Sequence, residues 1–214
     1  MVTSPSSMPS EETVRRAAAE FGLSLEPQQV SQIQRYTRIL LAWNEKLNLT
    51  AIRDPLEILY RHFCESMLGG LYLGKDDGRL ADVGSGGGFP GLPLKILRPN
   101  LHVFLIESNF KRATFLAELV RELELDNTRV CVGRYEELGE EVAPLDVACC
   151  RALGDFPSFL KWAAGPSVAC AKVILWIGGR DLEEVQKNSG WRWDEPIAVP
   201  QSLRRYLLIG RKSS

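Results

Sequence analysis

The stretch Leu80-Ala81-Asp82-Val83-Gly84-Ser85-Gly86-Gly87-Gly88-Phe89-Pro90-Gly91 runs from an apolar strand pattern at 79–83 into a glycine-rich turn. The segment that follows, 92–97, has helical spacing and stops at Pro99. Glycines at a strand–turn–helix junction let the backbone bend tightly and let a ligand approach without a Cβ in the way. Outward from the junction the alternation continues. Apolar runs at 101–106, 129–132, 145–149 and 172–177 read as strands, and 110–123, 156–164 and 181–187 as helices. Residues 191–199 and 205–209 read as two strands joined by a short Pro-containing loop, an antiparallel hairpin closing the sheet. Strands alternating with helices predict an α/β domain over 79–214, with a mostly parallel sheet and helices on both faces.

Upstream, the pattern is helical throughout. Val30, Ile33, Tyr36/Thr37, Leu40/Leu41, Asn44 and Leu47 recur at three- and four-residue spacing. Ser10 before Glu11 and Glu12, and Asp54 before Pro55, are helix starts. A further helix runs through Ile58, Leu59, His62, Phe63, Ser66 and Met67 to the glycines at 69 and 70. Residues 11–73 are therefore expected to form an N-terminal helical portion packed on the core, with a loop after it, and the Ser/Pro-rich residues 1–10 a flexible tail.

Composition narrows the class. The 214 residues are 45% hydrophobic, 25% charged and 8% aromatic, which excludes a collagenous, disordered or coiled-coil chain. Twenty-six basic against 27 acidic residues argue against a dedicated nucleic-acid coat but leave room for a basic patch. The five cysteines are an odd number, form no Cys-x-x-Cys pair and have only His62 and His102 to join them. Reduced, buried thiols in a cytoplasmic protein without a metal are expected. Residues 1–10 lack the charged and apolar regions of a signal peptide, and no apolar run approaches the ~20 residues a membrane helix needs.

Two ligand classes use such a glycine turn. Gly86-x-Gly88-x-x-Gly91 has the dinucleotide spacing, but it begins after Gly84 has made the turn, and Pro90 fixes φ where a pyrophosphate site wants a free N–H. Asp82-x-Gly84-x-Gly86 instead resembles the first motif of S-adenosylmethionine-dependent methyltransferases. An acid just before the glycines suits a ligand carrying an ammonium and a sulfonium. Glu107, ending the next strand, is placed to accept hydrogen bonds from ribose hydroxyls, which both ligands carry. S-adenosyl-L-methionine is the favoured cofactor.

Other candidates carry bland alternatives. Arg134-Tyr135-Glu136-Glu137 follows the third strand, near an adenine or as a solvated turn. Cys149 and Cys150, at the end of the fourth strand, suit a cytosine-C5 nucleophile less well than core packing, since no proline precedes either. Arg151, at a strand's carboxyl end, is costly to bury unless it meets an anion. His62 lies four residues from Ser66 on one helix face, and alone reads as structural. Arg204, Arg205, Arg211 and Lys212 stand in an acid-free stretch and read as a solvated face or a phosphate contact.

Together, Trp43-Asn44-x3-Asn48-Leu49-Thr50-x2-Arg53-Asp54-Pro55, Arg61-His62-x3-Ser66, the loop from Gly84 to Pro93, and Arg151-Ala152 resemble the RsmG family, also called glucose-inhibited division protein B, over roughly residues 25–210. Its members are bacterial 16S ribosomal RNA guanine-N7 methyltransferases. The resemblance implies a Rossmann-like S-adenosylmethionine-dependent methyltransferase fold and methyl transfer to one guanine, guanine 527, of the small ribosomal subunit; a monomer is the default expectation. It implies cofactor contacts at Gly84, Phe89, Tyr135, Glu136 and Arg151, with Glu107 at the ribose. It places Asn48, Thr50, Arg53, His62 and Ser66 on the RNA-facing surface. No general base is expected, because guanine N7 has a free lone pair. The chain carries Glu65 where the family commonly has Asp, and Ile177 where it usually has Lys. A methyltransferase for a protein or small molecule, or a non-catalytic RNA-contacting homologue, are the alternatives.

Overall fold

Helix starts in the N-terminal portion are set by side chains that satisfy free amides. The computed structural model of the chain describes residues 7–213; most of the expected tail, residues 1–6, lies outside them. Ser10 Oγ accepts from the Thr13 amide and begins α1 (Glu11–Ala19). A capping box of Glu26 and Gln29, with Pro27 at the first position, begins α2 (Pro27–Leu47), which ends at Asn48 in the left-handed region (φ 46°). Asp54 caps α3 (Pro55–Ile58). The helix then widens into a π segment, Leu59–Cys64, before α4 (Glu65–Leu68) and a 3-10 turn, Gly69–Tyr72.

The α/β region follows as β1 (Arg79–Val83), α5 (Gly91–Leu97), β2 (His102–Glu107), α6 (Phe110–Glu122), β3 (Thr128–Val132), α7 (Gly139–Val142), β4 (Val147–Arg151), α8 (Phe156–Ala164), β5 (Lys172–Gly178), α9 (Gly179–Gln186), β6 (Trp191–Trp193), β7 (Ile197–Ala198) and β8 (Arg205–Lys212). The sheet order is β3-β2-β1-β4-β5-β8-β6, with β7 also paired to β8. Strands β1 to β5 are parallel, and β8 runs antiparallel between β5 and β6. This is the mostly parallel sheet the alternation predicts. The expected hairpin differs in detail: its first strand divides into β6 and β7, because Pro196, which has no N–H, interrupts the ladder after Asp194 has donated to the Ile209 carbonyl. The fourth strand starts later than expected: the Leu145 amide donates to the Val168 carbonyl, outside the sheet, and bonds to the neighbouring strands begin only at Asp146, with Arg79 and Lys172.

Side chains along each strand alternate between two cores. One holds Leu80, Leu105, Cys149 and Ile174 under α5, α6 and the N-terminal helices, including Ile33, Tyr36, Leu40 and Phe63. The other holds Ala81, Ile106, Cys150 and Leu175 under α8, including Phe159. The helical portion is joined to the domain by bonds as well as apolar contact: Gln29 Nε2 donates to the Ile96 carbonyl at 2.9 Å. Among the described residues no helix is long and apolar enough to cross a membrane.

Candidate functional site

The chain turns outward to β2 on one side of β1 and places β4 on the other, so a crevice forms at the carboxyl ends of β1 and β4. The glycine turn fills its floor. Gly84, Gly86 and Gly88 have φ of 72°, 53° and 91°. Gly84 is exposed, and a Cβ there would meet nothing closer than Leu153 at 3.6 Å, so bare backbone faces the crevice. At Gly88 the requirement is opposite: a Cβ would run into the Tyr36 hydroxyl. Asp82 is fully buried. Its Oδ2 accepts from the Gly91 amide at 2.9 Å, while Oδ1 is buried with no partner. Burial pushes the carboxyl up to about 7, against the lowering effect of the Gly91 bond.

Glu107 ties the turn down from β2. Its Oε2 accepts from the Gly86 amide at 2.9 Å and its Oε1 from the Asn109 amide at 2.8 Å. One protein partner on each oxygen leaves lone pairs for a ligand hydroxyl. Beyond β3, Tyr135 is half-buried with its ring edge-on to Trp162 at 5.3 Å, and burial, then the neighbouring Glu136 carboxylate, push its hydroxyl up to about 12. Glu136 is exposed.

The helical portion supplies the opposite wall. Tyr36 donates to the Gly87 carbonyl at 2.6 Å, and its ring stacks on Phe89 at 5.3 Å. Phe89 is also stacked on His62 at 4.6 Å. His62 Nε2 lies 2.7 Å from Thr50 Oγ1, within hydrogen-bond distance, and the same hydroxyl oxygen accepts from the Ile52 amide. Thr50 is held by Asn44, whose amide bonds both its N–H and its C=O at 2.9 Å. Burial, then the guanidiniums of Arg151 and Arg61, lower the His62 pKa to about 3, so the ring is neutral. Its Nδ1 is buried without a hydrogen-bond partner.

Arg151 closes the crevice at the end of β4. It reaches Ser66 Oγ at 3.5 Å and stands 3.7 Å from the Glu65 carboxylate. Glu65 is buried and takes a two-pronged bond from Arg205, at 2.7 and 3.2 Å. Its carbonyl accepts from Trp176 Nε1 at 2.6 Å. Ile177, one residue on, packs into the second core.

The structure thus brings Gly84, Phe89, Glu107 and Arg151 around one crevice and sets His62, Thr50 and Ser66 against it. Asn48 and Arg53 stand apart: Asn48 is an exposed helix end and Arg53 pairs on the surface with Glu45. Cys149 and Cys150 point into opposite cores, fully buried, with thiols raised well above their ordinary value. Tyr36 and the Glu65–Arg205 pair escaped the sequence reading, and Asn44 entered it only as part of a motif, without a role. Tyr36 sat in the helical pattern as a core position, and Arg205 stood in the acid-free stretch without a visible partner. An unsatisfied carboxylate oxygen, bare glycine backbone, an acid with spare lone pairs and an arginine fit a ligand bearing an ammonium, a ribose and a carboxylate.

Residues 29–191 match the family model described as GidB, rRNA small subunit methyltransferase G. The ribosomal RNA small subunit methyltransferase G of Roseiflexus castenholzii is 43% identical over 170 residues, covering 78% of this chain and 69% of that protein. That of Xanthomonas euvesicatoria pv. vesicatoria is 38% identical over 203 residues, covering 92% and 94%. Among solved structures, an S-adenosylmethionine-dependent methyltransferase from Aquifex aeolicus superposes with a TM-score of 0.60 at 15% identity, covering 78% of this chain and 97% of that one. TrmK of M. capricolum, solved with S-adenosyl-homocysteine, gives 0.53 at 14% identity, covering 68% and 67%. The two structural likenesses show a shared fold.

Proposed function

Because the chain belongs to the rRNA small subunit methyltransferase G family, we propose that it methylates N7 of a single guanine of 16S ribosomal RNA, using S-adenosyl-L-methionine, as a monomer in the cytoplasm. The observation that carries this reading is the joining of two residue sets. Phe89 of the glycine turn lies on His62, and Arg151 of β4 reaches Ser66, so the crevice assigned to the cofactor adjoins the helical surface assigned to the RNA.

Asp82 and the bare backbone at Gly84 would hold the amino-acid end of the cofactor with Arg151, Glu107 the ribose, and Tyr135 and Glu136 the adenine. When bound, the cofactor supplies a methyl group on a sulfonium, whose transfer forms one N–C bond, breaks one S–C bond and leaves a neutral thioether. Guanine N7 brings its own lone pair, so the chain has no proton to remove. His62, its pKa lowered to about 3, is a weak base, and its place beside Thr50 and stacked on Phe89 suits a wall. What the residues contribute is alignment, through a turn fixed by Tyr36, Glu107 and Asp82 and a roof fixed by Asn44 and Thr50.

The test uses tritiated S-adenosylmethionine, the purified protein and small ribosomal subunits from a strain lacking its own enzyme of this type. Label mapped to one guanine by N7-specific chain cleavage is the expected result. Cofactor binding without label in the RNA would sink the substrate assignment and leave a methyltransferase for another acceptor, or a binder without chemistry.

A further inference from the structure

The carboxyl edge of the sheet carries a second concavity, separate from the cofactor crevice. It lies where β5 ends and β8 begins, is a shallow, open concavity of about 560 Å³, and is lined by Gly178, Arg180, Asp181, Leu203, Arg204 and Tyr206. Its frame is fixed. The Gly179 amide donates to the Arg204 carbonyl at 2.9 Å, Ile177 pairs with Tyr206 in the ladder, and a Cβ on Gly179 would crowd the Tyr206 ring at 3.3 Å. Ser202 Oγ accepts from the amides of Arg204 and Arg205, so the rim loop is pinned as well.

On this frame an aliphatic and two cationic side chains stand out into water. Leu203 is 95% exposed, an aliphatic group held out in water at the rim. Arg180 stands in the first turn of α9, where the helix dipole disfavours a cation. Arg180 and Arg204 are exposed, and among the described residues neither guanidinium has a hydrogen-bond or ion-pair partner. Other arginines of this edge and strand are paired: Arg205 on Glu65 and Arg211 on Asp194. Asp181 is the one acid in the lining, against two cations. Neighbouring residues divide their work here, with Arg205 turned to Glu65 beside Arg151 and Arg204 lining the cleft, so the cleft adjoins the acceptor side of the crevice.

We propose that this cleft docks the single-stranded RNA flanking the target nucleotide, with phosphates on Arg180 and Arg204 and an unstacked base against Leu203 and Tyr206. The assignment rests on the RNA reading given above and names where the strand is held. Free cations beside an exposed apolar and aromatic platform are what an unpaired strand needs, since its backbone is anionic and its bases have open faces.

The test compares the wild-type protein with the double variant Arg180→Gln/Arg204→Gln and with Leu203→Ser. Binding to unmethylated small ribosomal subunits is measured across a salt series, and cofactor affinity by calorimetry on the same samples. The double variant is expected to weaken subunit binding about tenfold or more and to shrink the slope of log K against log salt by about 1.4, or ~0.7 for each phosphate of a single strand that is no longer neutralised. Leu203→Ser should weaken binding several-fold at an unchanged slope. Cofactor affinity should stay within about twofold throughout. A double variant that keeps both affinity and slope overturns the docking site. If the wild-type protein binds subunits with the expected variant losses yet places no label in the RNA, the docking site is supported and the reaction reading alone fails.

Discussion

Asp82 and His62 are displaced from their ordinary titration in opposite senses, and the two displacements predict opposite pH dependences. Asp82 has its carboxyl raised from 3.8 to about 7 by burial, so its contribution to stability is full below pH 3.8 and is lost as the pH rises to 7. His62 is lowered from 6.5 to about 3, so its contribution is present above 6.5 and is lost as the pH falls. Between about pH 4.5 and 6 the two slopes oppose each other, each approaching about 1.4 kcal/mol per pH unit. Thermal unfolding of the cofactor-free protein should therefore vary little with pH in that window. Asp82→Asn should make stability rise with pH there, and His62→Gln should make it fall. A cationic group placed on Asp82 favours the carboxylate, so cofactor affinity should rise about tenfold per unit as the pH climbs toward 7, a dependence absent from Asp82→Asn. Tyr36→Phe leaves the Gly87 carbonyl without its donor and should cost about 1–3 kcal/mol in urea unfolding, with weaker cofactor binding.

At the scale of elements, much of this molecule can be read from its residues. The apolar runs mark β1 to β5 because strands covered on both faces need continuous apolar sequence, and the glycine turn marks the crevice because only those backbone angles fit it. The π segment Leu59–Cys64 left no such mark: its shifted hydrogen bonds change which face a side chain occupies without changing the composition. The site residues divide the same way. Gly84 and Glu107 are legible through local motif spacing, whereas Glu65 and Arg205 stand 140 positions apart and meet only through the sheet. That meeting yields its own prediction. Glu65 is the shared counter-charge of Arg151 and Arg205. Glu65→Gln leaves two guanidiniums facing one neutral amide and should lower stability by about 1–3 kcal/mol, a melting point lower by several degrees, with the loss shrinking in high salt.

Across the whole molecule, the N-terminal helices complete a core that the sheet cannot complete alone. Ile33, Tyr36, Leu40 and Phe63 cover the face that carries Leu80, Leu105 and Ile174. Ile33→Ala should cost about 2–4 kcal/mol although it lies outside the α/β domain. A fragment limited to residues 74–214 should fail to remain in solution, as measured by sedimentation after expression. The same dependence couples the two halves of the site, since the helices that carry His62 and Ser66 are the ones that seal the core. The position of β8 has a consequence for how the protein is made. Every other strand of this sheet is translated before it, yet it occupies an interior place, bonded to β5 on one side and to β6 and β7 on the other. Until Arg205–Lys212 arrives, the growing chain presents the apolar margin of β5 as an open template for other polypeptides. The nascent protein is thus most vulnerable to co-aggregation, and most dependent on chaperone shielding, in the interval just before this strand emerges from the ribosome.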